Sequence, residues 1–150
     1  MSKGNKKTKK VIMFMFLAAI IVLALFLLIK AKGAADADRM YEMSTNAQRV
    51  EYLNSQGWIV NPDPVSKTKI TIPSEFNDAY TQYNELQLSQ GLDLTPYKGE
   101  EAMLYTYKIL NFPDDPDNVT ANLLIVNDRL VAADITITGE GGFTCGITGS

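Results

Sequence analysis

The sequence predicts an α+β fold: an N-terminal single transmembrane helix followed by a small two-layer domain, in the order α-β-β-α-β-β-β with a mostly antiparallel sheet. Three observations predict it. Val11 to Ile29 is an unbroken apolar run. Two later segments place apolar residues at three- and four-residue intervals, the helical period. Three further segments alternate apolar and polar residues, the strand period. The chain has 150 residues, room for one domain and an anchor.

"VIMFMFLAAIIVLALFLLI" holds 19 residues without a polar side chain. As a helix it reaches about 28 Å, close to the hydrocarbon thickness of a bilayer. Residues 1–32 carry seven lysines and no acid, whereas the rest carries seven basic and 17 acidic residues. Five of those lysines precede the run, so the N-terminus is expected in the cytoplasm and the remainder outside it. The expected divisions are a basic tail over 1–10, the membrane helix over 11–30, a linker or helix start over 31–42, an extracytoplasmic domain over 43–138 and a flexible Gly-rich tail over 139–150. The alternative is secretion after cleavage near Gly33-Ala34-Ala35. However, the run exceeds the usual apolar region of a signal peptide, and Lys30 and Lys32 interrupt the approach to that site. A membrane flank accounts for the lysines without nucleic acid, and the bilayer is the partner expected for Val11–Ile29.

The first helix of the domain opens at Thr45. Thr45 and Gln48 have capping-box spacing, and Met43, Ala47, Val50 and Leu53 form an apolar stripe. Gly57 suits the left-handed residue after a helix. "WIV" and "KTKITI" read as short strands around the turn "NPDPVS". Pro73 and Ser74 then open a second helix, with Ser74 as N-cap and Phe76, Ala79, Tyr80, Tyr83 and Leu86 as its core stripe. The connection that follows could make one strand pair parallel.

"AMLYTYKIL", "VTANLLIV" and "LVAADITIT" are the last strands. A two-residue loop at Asn127-Asp128 would pair Ile125 with Leu130 and bring Asp134 to the face of Ala121. An odd loop matches apolar face to apolar face, so a three-residue loop is expected, with Asp134 beside Asn122 or Thr120. The opposite face then mixes Leu104, Leu124, Leu130 and Asp134 with threonine and lysine. These four residues are the candidate partner surface, unless Trp58 or the helix start at Met40 covers them.

The composition argues against several chemistries. There is no histidine, the commonest acid-base group near neutral pH, and one cysteine. Asp114, Asp115 and Asp117 lack EF-hand spacing and read as a turn. "GEGGF" lacks the lysine and following helix of a phosphate loop. Asn118-Val119-Thr120 matches a glycosylation acceptor only as a three-residue pattern. Cys145 has no histidine to stabilise a thiolate and is expected to be dispensable. No cofactor, metal site or catalytic residue is expected. A hydrolase using Asp134, Glu85 and Glu101 is the alternative, though nothing in the sequence pairs two of them.

"RVEYLNSQGWIV", "IPSEFNDAYTQYNELQLSQGLDLTPYKG", "YKILNFPDDPDNVTANLLIVNDRLVAADI" and "GGFTCGI" together resemble the bacterial family called domain of unknown function 4830, over about residues 45–147. The most specific piece is Tyr-Asn-x-Leu-Gln, then Gly-x-Asp-Leu and Tyr-x-Gly, here Tyr83 to Gly99. The resemblance implies a membrane-anchored or exported protein of Gram-positive bacteria and no established activity. This chain departs from the pattern at Ala132-Ala133 and at Thr144-Cys145, where members carry glycines and a histidine. The expected function is a non-catalytic interaction or sensing module outside the membrane, with an unknown extracytoplasmic protein or ligand as partner. A structural subunit of an envelope complex is the runner-up.

Overall fold

The computed structural model describes residues 17–33, 41–113 and 118–148. The chain divides into two units at residue 40. In the first, helix α1 runs over 17–33, and its large apolar side chains, from Leu17 to Ile29, are exposed. No helix among the described residues is long and apolar enough to cross a membrane. The start of the apolar run, 11–16, and the aspartates at 114–117 lie outside the described residues.

The second unit is α+β. Helix α2 spans Asn46–Ser55, strand β1 Ser66–Thr71, helix α3 Asp78–Ser89, a 3-10 turn Thr95–Tyr97, then β2 Glu101–Lys108, β3 Val119–Val126, β4 Arg129–Ile137 and β5 Thr144–Gly146. The strands form one sheet in chain order, and every neighbouring pair is antiparallel, including β1 and β2 across α3. No pair among the described residues is parallel.

The Thr45 hydroxyl accepts from Gln48 N and the Gln48 side chain accepts from Thr45 N, which completes the expected capping box. At the other end Gly57 has φ +93°, Gly57 N donates to Asn54 O and Trp58 N to Leu53 O. This is a Schellman ending. The expected strand at "WIV" reduces to a single bridge between Val60 and Ile109. Pro62 and Pro64 follow at once and supply no N–H for a ladder. A fifth strand appears instead in the segment expected to be a flexible tail. Gly139 to Phe143 is the hairpin turn that delivers it, with Ile137 N donating to Phe143 O. Gly142 is required there, because a Cβ would lie 2.4 Å from Ile137 O.

The β3–β4 hairpin reaches the expected facing by another route. Its loop has two residues, not three: Asn127 and Asp128, with φ 48° and 63°. The register then shifts between Leu124 and Ile125, which pair with Ala132 and Leu130, so Val131 is a bulge. The inserted residue performs the face reversal that an odd loop would have performed. Asp134 pairs with Asn122, as expected, but Leu130 turns to the face of Ile125.

The domain has three layers rather than two. Tyr52 and Leu53 of α2 pack with Tyr107, Leu123, Ile125, Ala133 and Ile135 on one sheet face. Arg49 is buried there, its Nε donating to Tyr107 Oη at 2.9 Å, its Nη1 to Met43 O, and its guanidinium stacked 3.9 Å over Tyr105. Tyr83 of α3, with Ile72, Phe76, Leu94 and Tyr97 around it, packs on the other face against Leu104, Leu124 and Ala132. Both faces are apolar near β3, so both need a cover.

Candidate functional site

Helix α3 starts later than its first apolar residue suggests. Asn77, not Ser74, is the N-cap, and its side chain accepts from Tyr80 N at 2.9 Å. The residues it buries deepest are polar: Asn84 and Gln87. Asn84 Oδ1 accepts from Leu94 N at 2.7 Å, and Asn84 Nδ2 donates to Asp93 Oδ1 and Thr95 Oγ1. The Thr95 backbone N–H above all, and then its hydroxyl, holds the Asp93 carboxyl below its ordinary range. These bonds fold the Gly91–Thr95 return onto the helix.

Gln87 and Gln90 work at the open edge of β4 beyond β5. Gln87 Oε1 accepts from Ala133 N at 2.9 Å, and Gln90 Nε2 donates to Ala133 O at 2.6 Å and to Gln87 Oε1. Gln90 Oε1 accepts from Ile147 N. Two side-chain amides thus replace a missing stretch of strand. Gln87 Nε2 is buried without a partner.

With α3 pinned at its C-terminal half, its N-terminal half stands over the sheet and leaves a groove of about 420 Å³. Ile70, Leu104 and Leu124 form the apolar floor, and Ala79, Tyr80 and Tyr83 the helical wall. Asp134, 5% exposed, sits among them. Tyr83 Oη donates to its Oδ2 at 2.7 Å; Asn122 Nδ2 and Thr136 Oγ1 donate to Oδ1 at 2.8 and 2.9 Å. Thr106 Oγ1 orients Asn122, and Thr144 Oγ1 lies 3.2 Å from Thr136 Oγ1 at the rim. Burial, and then the Asp134 charge, pushes the Tyr83 hydroxyl well above its ordinary pKa of 10. The same two causes raise the Cys145 thiol. A raised thiol pKa is the reverse of nucleophile activation.

Of the four expected surface residues, the structure brings Leu104, Leu124 and Asp134 together. Leu124 is 4% exposed, however, a core contact under α3 rather than an open patch. Leu130 is 2% exposed and belongs to the opposite face, because of the Val131 bulge. Trp58 is not their cover, since it packs on the α2 side. Met40 lies outside the described residues. Nor does the structure assemble the three candidate carboxylates: Glu85 is exposed on α3, and the exposed Glu101 pairs with Lys69 at 2.7 Å. Sequence reasoning placed Asp134 beside Asn122 but missed Thr136 and Tyr83 as further donors to its carboxylate. The position of Thr136 on the same face, two residues beyond Asp134, was the available signal for the first.

A wider depression of about 560 Å³ lies around Met43, Lys69, Glu101, Met103 and Tyr105. Its Lys69 already pairs with Glu101 in solvent, and the other charged residues of its lining, Glu100 and Asp128, are exposed acids whose charge water screens. No group of three or more potential metal ligands occurs among the described residues.

The family model described as Domain of unknown function (DUF4830) matches residues 52–135. That is more than half of the chain. The chain belongs to this family. The match is narrower than the expected 45–147, and it contains α3, the return loop, β2, β3 and Asp134. The Tyr83–Gly99 run that carries the resemblance holds Tyr83, which bonds Asp134 in the groove, Asn84 and Asp93, which fold the return loop, and Gln87, which caps the β4 edge. No curated protein and no solved structure matches the chain.

Proposed function

We propose that this family member is a non-catalytic recognition module, held at a membrane by Val11–Ile29 and displayed outside the cytoplasm, and that the groove under α3 is its binding site. The groove carries the reading. It has apolar walls, one buried carboxylate and neutral donors, the composition of a site that orients a ligand. Among the described residues that line it, Asp134 is the only acid and none is a cysteine. Acid-base hydrolysis needs a second carboxyl at a defined separation, and this site supplies none. The exposed apolar side chains of α1 support the anchor, since such a surface is stable in lipid and costly in water.

Two measurements test the proposal. Protease added to intact cells that express the full chain digests residues beyond 41 if the topology is right; full protection refutes it. Ala79 is exposed on the groove wall, so Ala79→Arg fills the groove without disturbing the core. Affinity capture from native membranes should retain a partner with the wild type and lose it with Ala79→Arg. Equal retention would place recognition elsewhere.

A further inference from the structure

We infer that the groove receives an alkylammonium group, the side chain of a lysine-like residue presented by an extracytoplasmic peptide. The inference rests on the reading of the groove as the recognition site. Asp134 is almost wholly buried, and its three donors, Tyr83, Asn122 and Thr136, are all neutral. Hydrogen bonds from neutral groups hold the carboxylate without offsetting its charge. No cationic side chain is among the described residues that line the groove. A cation arriving there meets an anion whose desolvation has already been met in folding, so the electrostatic gain is retained.

The lining selects the kind of cation. Asp134 Oδ1 already accepts two bonds, from Asn122 and Thr136, and Oδ2 one, from Tyr83. A guanidinium needs both oxygens open to its fork. That approach is closed, whereas an ammonium behaves as a point charge and needs only the free side of Oδ2. Leu104 faces Leu124, whereas Asp134 faces Asn122, two residues along β3, so at about 4.8 Å between strands and about 3.4 Å per residue the three mark a diagonal about 12 Å long. An aliphatic stem lies along Leu124 while its charged end meets Asp134, and Leu104 floors the groove where the peptide backbone passes. Tyr80 adds a second aromatic side chain to the helical wall, its ring edge-on to that of Tyr83.

Isothermal titration of the full chain in detergent micelles tests this with three probes: Nα-acetyl-lysine methylamide, the norleucine equivalent with an uncharged stem, and the arginine equivalent. The lysine probe is expected to bind at least tenfold more tightly than the other two. Asp134→Asn should level lysine and norleucine. Because that variant also disturbs a bonded network, Thr144→Lys provides an independent arm. Thr144 is exposed on the rim, so the new side chain can reach Asp134 from within and should weaken the lysine probe at least tenfold with unchanged circular dichroism. Equal binding of lysine and norleucine, lost in Ala79→Arg, overturns the ammonium inference and leaves the groove as the site. Heat from no probe also overturns it, while the capture experiment decides the groove separately. Lysine binding unaffected by both Ala79→Arg and Thr144→Lys overturns both readings.

Discussion

Replacing Tyr83 by phenylalanine removes one oxygen and probes the groove wall at its tightest contact. The hydroxyl donates to the buried Asp134 carboxylate at 2.7 Å. A hydrogen bond to a charged partner contributes about 1.5–3 kcal/mol, so the variant should lose that much stability at pH 8. The pH dependence carries more information. Burial and the Asp134 charge raise the Tyr83 pKa in the folded state, whereas the unfolded chain ionises near 10. The stabilisation is therefore complete below pH 10 and declines as pH rises above it, because only the unfolded state then releases the proton. One such proton is equivalent to about 1.4 kcal/mol per pH unit. Tyr52, also raised by burial, declines equally in both proteins and cancels. The wild-type and variant stability curves should thus converge above pH 10 and meet about one to two units higher. Urea unfolding of the full chain in mild detergent, followed by Trp58 fluorescence from pH 8 to 11.5, measures both curves. Parallel curves would show that Tyr83 ionises freely in the folded protein and would refute its burial against Asp134.

Other substitutions read other parts of the fold. Leu124→Asp places a charge under α3 and should cost more than about 4 kcal/mol, seen as loss of the cooperative transition in circular dichroism. Asp128→Val puts a β-branched residue at φ 63° and should cost about 1–2 kcal/mol, whereas Asn127→Gly should be neutral or stabilising in the same melts. Gly142→Ala drives a methyl onto Ile137 O and should release β5, so Cys145 should react faster with a thiol reagent while the rest of the domain keeps its melting transition. Thr45→Ala breaks the capping box and should cost about 1 kcal/mol.

The sequence was informative where one local rule acts alone. Thr45 and Gln48 announced the start of α2, and alternation announced β2, β3 and β4, because each depends on residues a few positions apart. The facing of Asp134 followed from burial on both strands of one hairpin, although a two-residue turn with the Val131 bulge delivers it in place of the expected longer loop. That substitution is also why Leu130 was misplaced: a bulge leaves no mark in a strict period of two. The third layer was hidden for a different reason. The α3 stripe from Phe76 to Leu86 looked like the core line, yet the deepest positions hold Asn84 and Gln87, whose burial depends on backbone groups of Leu94 and Ala133 supplied by distant segments. Polar residues that complete a strand edge or a return loop carry no apolar periodicity. The groove depends on the same long-range contacts, so Asp134, Asn122 and Thr136 were legible as neighbours on a sheet but not as one side of a cavity.

The most direct measurement is a chemical-shift map of the full chain in detergent micelles, titrated with Nα-acetyl-lysine methylamide. The account predicts shifts that cluster at Ala79, Tyr80, Leu104, Asn122 and Thr144, with Ala47 and Glu51 on the exposed side of α2 unmoved. Shifts centred instead on Met43, Lys69 and Met103, in the wider depression on the other sheet face, would contradict it.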